Sequence, residues 1–159
     1  MNKKNISMCI MIVLILATGL VTSAGAPAPL PPLTVYVDAT VVWTFSGLQV
    51  QAGETVKINS HGFVCTASEY WPGSTSDPGG QIEGLGCGQH EDAPEPCALD
   101  DAPYGMLLGK IVSPKGQKVF AIGNAETFIA PMSGWVYLSI NDNLIYYDDN
   151  LGHYLVTFK

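Results

Sequence analysis

Apolar and polar residues alternate along most of the chain with the two-residue period of a β-strand. The pattern is clearest at residues 135–140 and 154–158, as expected for strands with one buried face. No segment carries an apolar stripe of period 3.6, and turn residues separate the runs. Eight or so short strands therefore predict an all-β fold, a small jelly-roll-like β-sandwich. The other predicted strands cover residues 33–45, 48–50, 56–58, 62–65, 106–111, 118–123 and 127–130.

Residues 68–104 interrupt this alternation and hold most of the remaining proline and glycine. Connections in compact domains are usually about 4–6 residues long, and much longer ones tend to be functional or disordered. We therefore expect a long loop here that is either functional or disordered.

The chain begins with the pattern of a secretory signal peptide. Lys3 and Lys4 precede an apolar run at residues 8–21, and small residues follow it. The run is short for a membrane span, so we expect cleavage after residue 26 and export to the periplasm or the cell exterior. Residues 27–33 form a Pro/Ala-rich tether. Residues 34–159 remain as one β-sandwich domain.

The balance of charge excludes some partners. Without Lys3 and Lys4, five basic residues face fourteen acidic ones, a net charge of about −9. Nucleic acid and anionic membrane surfaces both need a basic footprint, so neither is an expected partner. The acidic balance suits cation binding, although it also simply promotes solubility.

Export leaves three cysteines, Cys65, Cys87 and Cys97. Cys87 and Cys97 flank a proline-rich loop, and in an oxidising compartment we expect a disulfide between them. Cys65 follows two apolar residues and is predicted to be a buried thiol. A zinc site made of Cys87, His90, Cys97 and His61 is the alternative, but its second ligand pair lacks a regular spacing.

An acidic segment lies between the last two predicted strands. Asp142 ends one strand, whereas Asp149 and Asn150 come seven and eight residues later. Only a returning loop can bring these side chains together, and Gly152 suits a tight exit into the last strand. Carboxylate, amide and carbonyl oxygens are the usual donors to calcium, which takes about 6–8 of them. The pattern fits a calcium site and equally a solvated hairpin loop.

The chain resembles the Pseudomonas galactophilic lectin and the secreted modules similar to it. The match is most specific at the ending Ile-Asn-Asp…Asp-Asn-x-Gly, and it spans almost all of residues 40–159. The resemblance implies a galactose-binding-like jelly roll with one calcium ion, coordinated directly by galactose hydroxyls. The segments that carry it are residues 43–58, 104–111, 121–123, 134–142 and 149–152.

Laying the ending of that family onto this sequence assigns a set of calcium ligands. The same comparison assigns one histidine of the long loop to the sugar-binding site. It also aligns Tyr146 with a position where the family has a small residue. To these we add hydrogen-bonding side chains of the acidic loop and a tryptophan that could stack on a sugar ring. The calcium ligands are Asp142, the carbonyl of Tyr146, Asp149, Asn150 and a carbonyl near Thr66. The carbohydrate-binding residues are His90, Asp142, Asn143, Tyr146, Asp149 and Trp71.

The sequence thus predicts a calcium-dependent lectin for galactose or a related sugar, with a homo-oligomer as a route to avidity. The first alternative is a structural or adhesion module in which calcium only stabilises the last loop and no sugar binds. The second alternative is a glycosidase using Asp142 with Asp148 or Asp149. Acids gathered around a cation would have lowered pKa values, whereas a glycosidase needs one raised. No nucleophile motif is present either, so we expect no enzyme.

Overall fold

The structure is a computed structural model that describes residues 31–66, 74–81, 87 and 96–159. These residues contain nine β-strands and one short 3-10 helix, Tyr147–Asp149. None of the described helices is long and apolar enough to cross a membrane. The strands are β1 (Leu33–Asp38), β2 (Thr44–Val50), β3 (Thr55–Cys65), β4 (Thr75–Ser76), β5 (Leu107–Ser113), β6 (Gly116–Ala121), β7 (Thr127–Ile129), β8 (Gly134–Ile140) and β9 (Leu151–Phe158).

The strands form two antiparallel sheets. One has the order β1-β9-β3-β4, with β7 paired to the beginning of β3, and the other has the order β2-β8-β5-β6. Alternate residues of both sheets, such as Leu138 of β8 and Val156 of β9, are fully buried in one shared core. The all-β, sandwich-like fold predicted from the alternation is confirmed.

The first predicted strand is too long. The alternation predicted a strand running past Val41, but β1 ends at Asp38, and Val41 is exposed. The carboxylate of Asp38 accepts hydrogen bonds from the backbone and the hydroxyl of Thr40, at 2.9 and 2.8 Å. This local Asp turn competes successfully with continuation of the strand.

The two strands predicted at residues 56–58 and 62–65 are one continuous strand, β3. Its inward positions include Ser60 and Gly62, which interrupt the apolar pattern without interrupting the backbone pairing with β9. Within the predicted long loop, the described residues also contain the short strand β4, which pairs with the end of β3.

The disulfide predicted between Cys87 and Cys97 is confirmed. Cys65 is buried, as predicted, and its Sγ atom lies 3.0 Å from the hydroxyl of Ser74. The predicted signal peptide lies outside the described residues, as does most of the predicted tether. Both stay predictions.

Candidate functional site

The acidic segment joins the two sheets of the sandwich. It leaves the four-stranded sheet at Ile140, the end of β8, and enters the other sheet at Leu151, the start of β9. Both strands are anchored in the shared core, so the two ends of the segment at residues 141–150 are held at this edge. The loop is therefore positioned by the scaffold, as binding loops commonly are.

Asp142 is buried within this loop, with an exposed fraction of 2%. Its Oδ1 atom accepts a hydrogen bond from the backbone N–H of Asn143 at 2.7 Å. Its Oδ2 atom is buried and has no hydrogen-bond donor among the described residues. Burial raises the pKa of Asp142 to about 6, against the lowering effects of hydrogen bonds from Asn150 and Asn143, and the charge of Asp149 raises it further. An ionised carboxylate at this position lacks full compensation from the protein.

Asn150 is equally enclosed, with an exposed fraction of 1%. Its Nδ2 atom donates to the carbonyl of Ala39 at 3.2 Å, and its side chain also hydrogen-bonds to Asp142. Its Oδ1 atom is buried without a donor in the described part of the chain. Asn150 therefore brings a second unsatisfied oxygen into this loop, on a side chain that hydrogen-bonds to Asp142. Buried acceptors of this kind need an explanation, and an ion is one of the usual ones.

Asp149 is held by the 3-10 helix, which begins at Tyr147. The buried hydroxyl of Tyr147 donates to the carbonyl of Ile140 at 2.6 Å and lies 3.1 Å from the hydroxyl of Ser139. Burial raises the pKa of Tyr147 to about 12, so its hydroxyl stays protonated as a donor. Sequence reasoning missed this residue, because nothing in the pattern separates Tyr147 from its exposed neighbour Tyr146.

Two further predicted ligands would act through backbone carbonyls, and both residues lie at this edge. The carbonyl of Tyr146 accepts the N–H of Asp149 at 3.1 Å and keeps a second lone pair. Thr66 directly follows Cys65, and Asn150 directly precedes Leu151. Cys65 and Leu151 are the last pair in the register of β3 with β9, so both neighbours lie at this end of the sheet.

The donor set suits a hard cation. It combines carboxylates with amide and carbonyl oxygens, the set that calcium prefers. In the described segments no group of three or more His, Cys, Asp or Glu side chains comes together as a metal site. A cation here would therefore draw on the amide of Asn150 and on carbonyls as well as on Asp142 and Asp149. The unsatisfied buried oxygens of Asp142 and Asn150 are consistent with such an ion.

Apart from Asp142 and Asp149, the predicted sugar-binding residues divide into three groups. Tyr146 has an exposed fraction of 45% and offers its ring at the loop surface. Asn143 is buried, and its Oδ1 atom accepts the N–H of Ile145 at 3.2 Å, which ties it to the loop itself. Trp71 and His90 lie outside the described residues.

No protein-family model matches the chain, and no curated protein does. Among solved structures, the chain is similar to the N-terminal domain of EclA, described as a PllA-like lectin. The match has a TM-score of 0.56 and 22% sequence identity, and it covers 79% of this chain and 93% of that domain. The likeness shows that the two chains share a fold.

Proposed function

We propose that this protein is a calcium-dependent carbohydrate-binding protein, a lectin, without enzymatic activity. The observation that carries the proposal is the pair of buried, unsatisfied oxygens on Asp142 and Asn150. Leaving a buried acceptor unpaired costs about 1–3 kcal/mol, and more for a charged group, so the loop is destabilised unless something binds these atoms. A calcium ion bound by both side chains would satisfy these oxygens.

Within this proposal, Asp142 and Asp149 balance the charge of the ion. Asn150 and the carbonyls of Tyr146 and Thr66 complete the protein's share of the donors. Calcium, when bound, supplies a positive charge and coordination positions beyond those that the protein fills, which sugar hydroxyls can take. The exposed ring of Tyr146 gives the neighbouring surface an apolar face on which the C–H side of a sugar can lie.

The structural neighbour supports a lectin, because its own description is that of a lectin. Galactose, or a sugar with similarly arranged hydroxyls, is the proposed ligand class, and it rests on the resemblance of the chain's ending to the calcium-dependent galactose lectins. The proposed signal peptide at residues 1–26 would direct the protein out of the cytoplasm, to a compartment in which calcium and glycans are available.

The second candidate function is that of a structural or adhesion module, in which bound calcium stabilises the loop and no sugar binds. Asp142 and Asn143 each have an exposed fraction of only 2%, which favours this second function. A site enclosed in this way suits an ion that is coordinated by the protein alone, without a sugar. In that case calcium would stabilise the fold by mass action and nothing more.

A glycan array with the exported domain tests the proposal, run once with calcium and once with a chelator. We expect signals for terminal galactosides that disappear with the chelator and with Asp142→Ala. Calcium binding without any glycan signal would support the structural module instead.

A further inference from the structure

Asn141 lies directly before Asp142, and its side chain is fully buried. Its Nδ2 atom donates to the carbonyls of Leu99, Ala102 and Pro103 at 2.9, 2.7 and 3.2 Å. Its Oδ1 atom accepts the N–H of Leu99 at 2.9 Å. One amide thus holds residues 99–103 against the end of β8.

The preceding residues, 96–98, pair with the backbone of residues 142–144. This pairing matters because β8 ends at Ile140, so the turn that carries Asp142 has left its sheet. The contacts are a hydrogen bond from the N–H of Ala98 to the carbonyl of Asp142 at 3.1 Å, one from the N–H of Leu144 to the carbonyl of Pro96 at 3.3 Å, and an antiparallel bridge between Cys97 and Asn143.

The pairing segment is itself anchored. Cys97 is bonded to Cys87, whose N–H donates to the carbonyl of Ala102 at 2.8 Å. Ala102 is also one of the carbonyls that Asn141 holds. The disulfide and the Asn141 amide therefore fix the same short stretch of chain from two sides, and that stretch supports the turn at Asp142.

We propose that Asn141, together with the segment 96–98 that the Cys87–Cys97 disulfide anchors, positions the Asp142 turn for cation binding. This proposal rests on the proposed function, since it concerns the affinity of the same site. Asp142 and Asp149 carry like charges in one short loop, and these charges repel each other when no ion lies between them. A turn held by one strand alone would relax away from that repulsion, whereas a turn held on both sides keeps its oxygens together.

The test is a calorimetric titration of calcium into the metal-free protein. Residues that orient metal ligands typically change metal affinity about 10–100-fold when they are replaced. We therefore expect Asn141→Ala to raise the calcium Kd by about that factor. The matched control is Val56→Ala, a core truncation at the far end of β3, where the strand pairs with β7. It should lower the free energy of unfolding in chelator and leave the calcium Kd unchanged.

A second measurement applies to the unaltered protein, titrated with calcium before and after reduction of the disulfide. We expect the calcium Kd to rise on reduction, and this comparison decides the matter if Asn141→Ala does not fold. A folded Asn141→Ala variant that binds calcium with the original Kd would overturn the positioning role, as would a reduced protein with unchanged Kd. If the unaltered protein binds no calcium, both the proposed function and this inference are wrong. If it binds calcium and only the variant or the reduced protein behaves otherwise than expected, the inference alone is wrong.

Discussion

The hydroxyl of Tyr147 donates a hydrogen bond of 2.6 Å to the carbonyl of Ile140, the last residue of β8. This contact closes the acidic loop on itself, because it joins the end of the strand to the first residue of the 3-10 helix that carries Asp149. Ser139 completes the arrangement, with its hydroxyl 3.1 Å from that of Tyr147 and also donating to the carbonyl of Val42. The two ends of the candidate cation site are thus tied together through a buried side chain.

Removing the Tyr147 hydroxyl tests this closure. We expect Tyr147→Phe to lower the free energy of unfolding by about 1–2 kcal/mol, since a buried hydrogen bond is lost while the ring is kept. Tyr146→Phe is the matched control on the next residue, which is exposed, and should change stability by less than about 0.5 kcal/mol. Urea denaturation of both variants in chelator measures the difference, and equal stabilities would contradict the role of the hydroxyl.

Asp142→Asn should have opposite effects without and with calcium. In chelator the substitution removes a buried, incompletely compensated charge, so we expect the variant to be as stable as the original protein or more stable. In calcium at about a hundred times its Kd, the original protein should gain about 2.7 kcal/mol that the variant lacks. Thermal denaturation in both buffers tests this, and a variant that gains the same stability from calcium would rule Asp142 out as a ligand.

The metal-free protein should also show the pH dependence of Asp142. Its pKa of about 6 in the fold lies above the ordinary value of 3.8, so folding favours the protonated form. As the pH rises from about 4 to about 6, the free energy of unfolding of the original protein should therefore fall relative to that of Asp142→Asn. The total loss should be roughly 3 kcal/mol. Unfolding of both proteins in chelator at several pH values measures the difference. A constant difference across the window would show that the carboxyl is not buried as described.

Gly152, beside the site, should not tolerate a side chain. It has a φ of +90°, and a Cβ atom there would lie 2.3 Å from the carbonyl oxygen of Phe63. Gly47 has a similar φ of +76° with nothing within 4 Å, so Gly47→Ala isolates the backbone strain of about 1–2 kcal/mol. We expect Gly152→Ala to lose about 1–3 kcal/mol more because of the collision. Equal losses in the two variants would contradict the close approach of β3 and β9.

The sequence predicted the parts of this fold that depend on local pattern. Alternation identified β8 and β9. The disulfide was predicted because Cys87 and Cys97 flank a proline-rich loop in a chain that is expected to be exported. Local competition explains the main error, since the Asp38 side chain ends β1 where the apolar pattern continues. The placement of Gly152 also differs slightly, because it lies inside β9 and not before it.

The candidate site was less predictable, because its supports come from distant parts of the chain. Residues 142, 149 and 150 could be chosen from their oxygens and spacing, and the structure brings Asp142 and Asn150 into contact. The role of Asn141 depends on contacts with residues 99–103, about forty positions away, and no local pattern encodes them. The placement of Thr66 at the same end of the sheet as Asn150 likewise follows from the register of β3 against β9, which exists only in the folded sheet.

The most direct measurement is a calorimetric titration of a galactoside into the calcium-loaded protein, repeated after addition of chelator. We expect saturable binding in calcium, none in chelator, and none for Asp142→Ala in either buffer. Galactoside binding that persists in chelator would contradict the direct role of calcium. Absence of sugar binding by a protein that retains calcium would contradict the lectin and leave the structural calcium module.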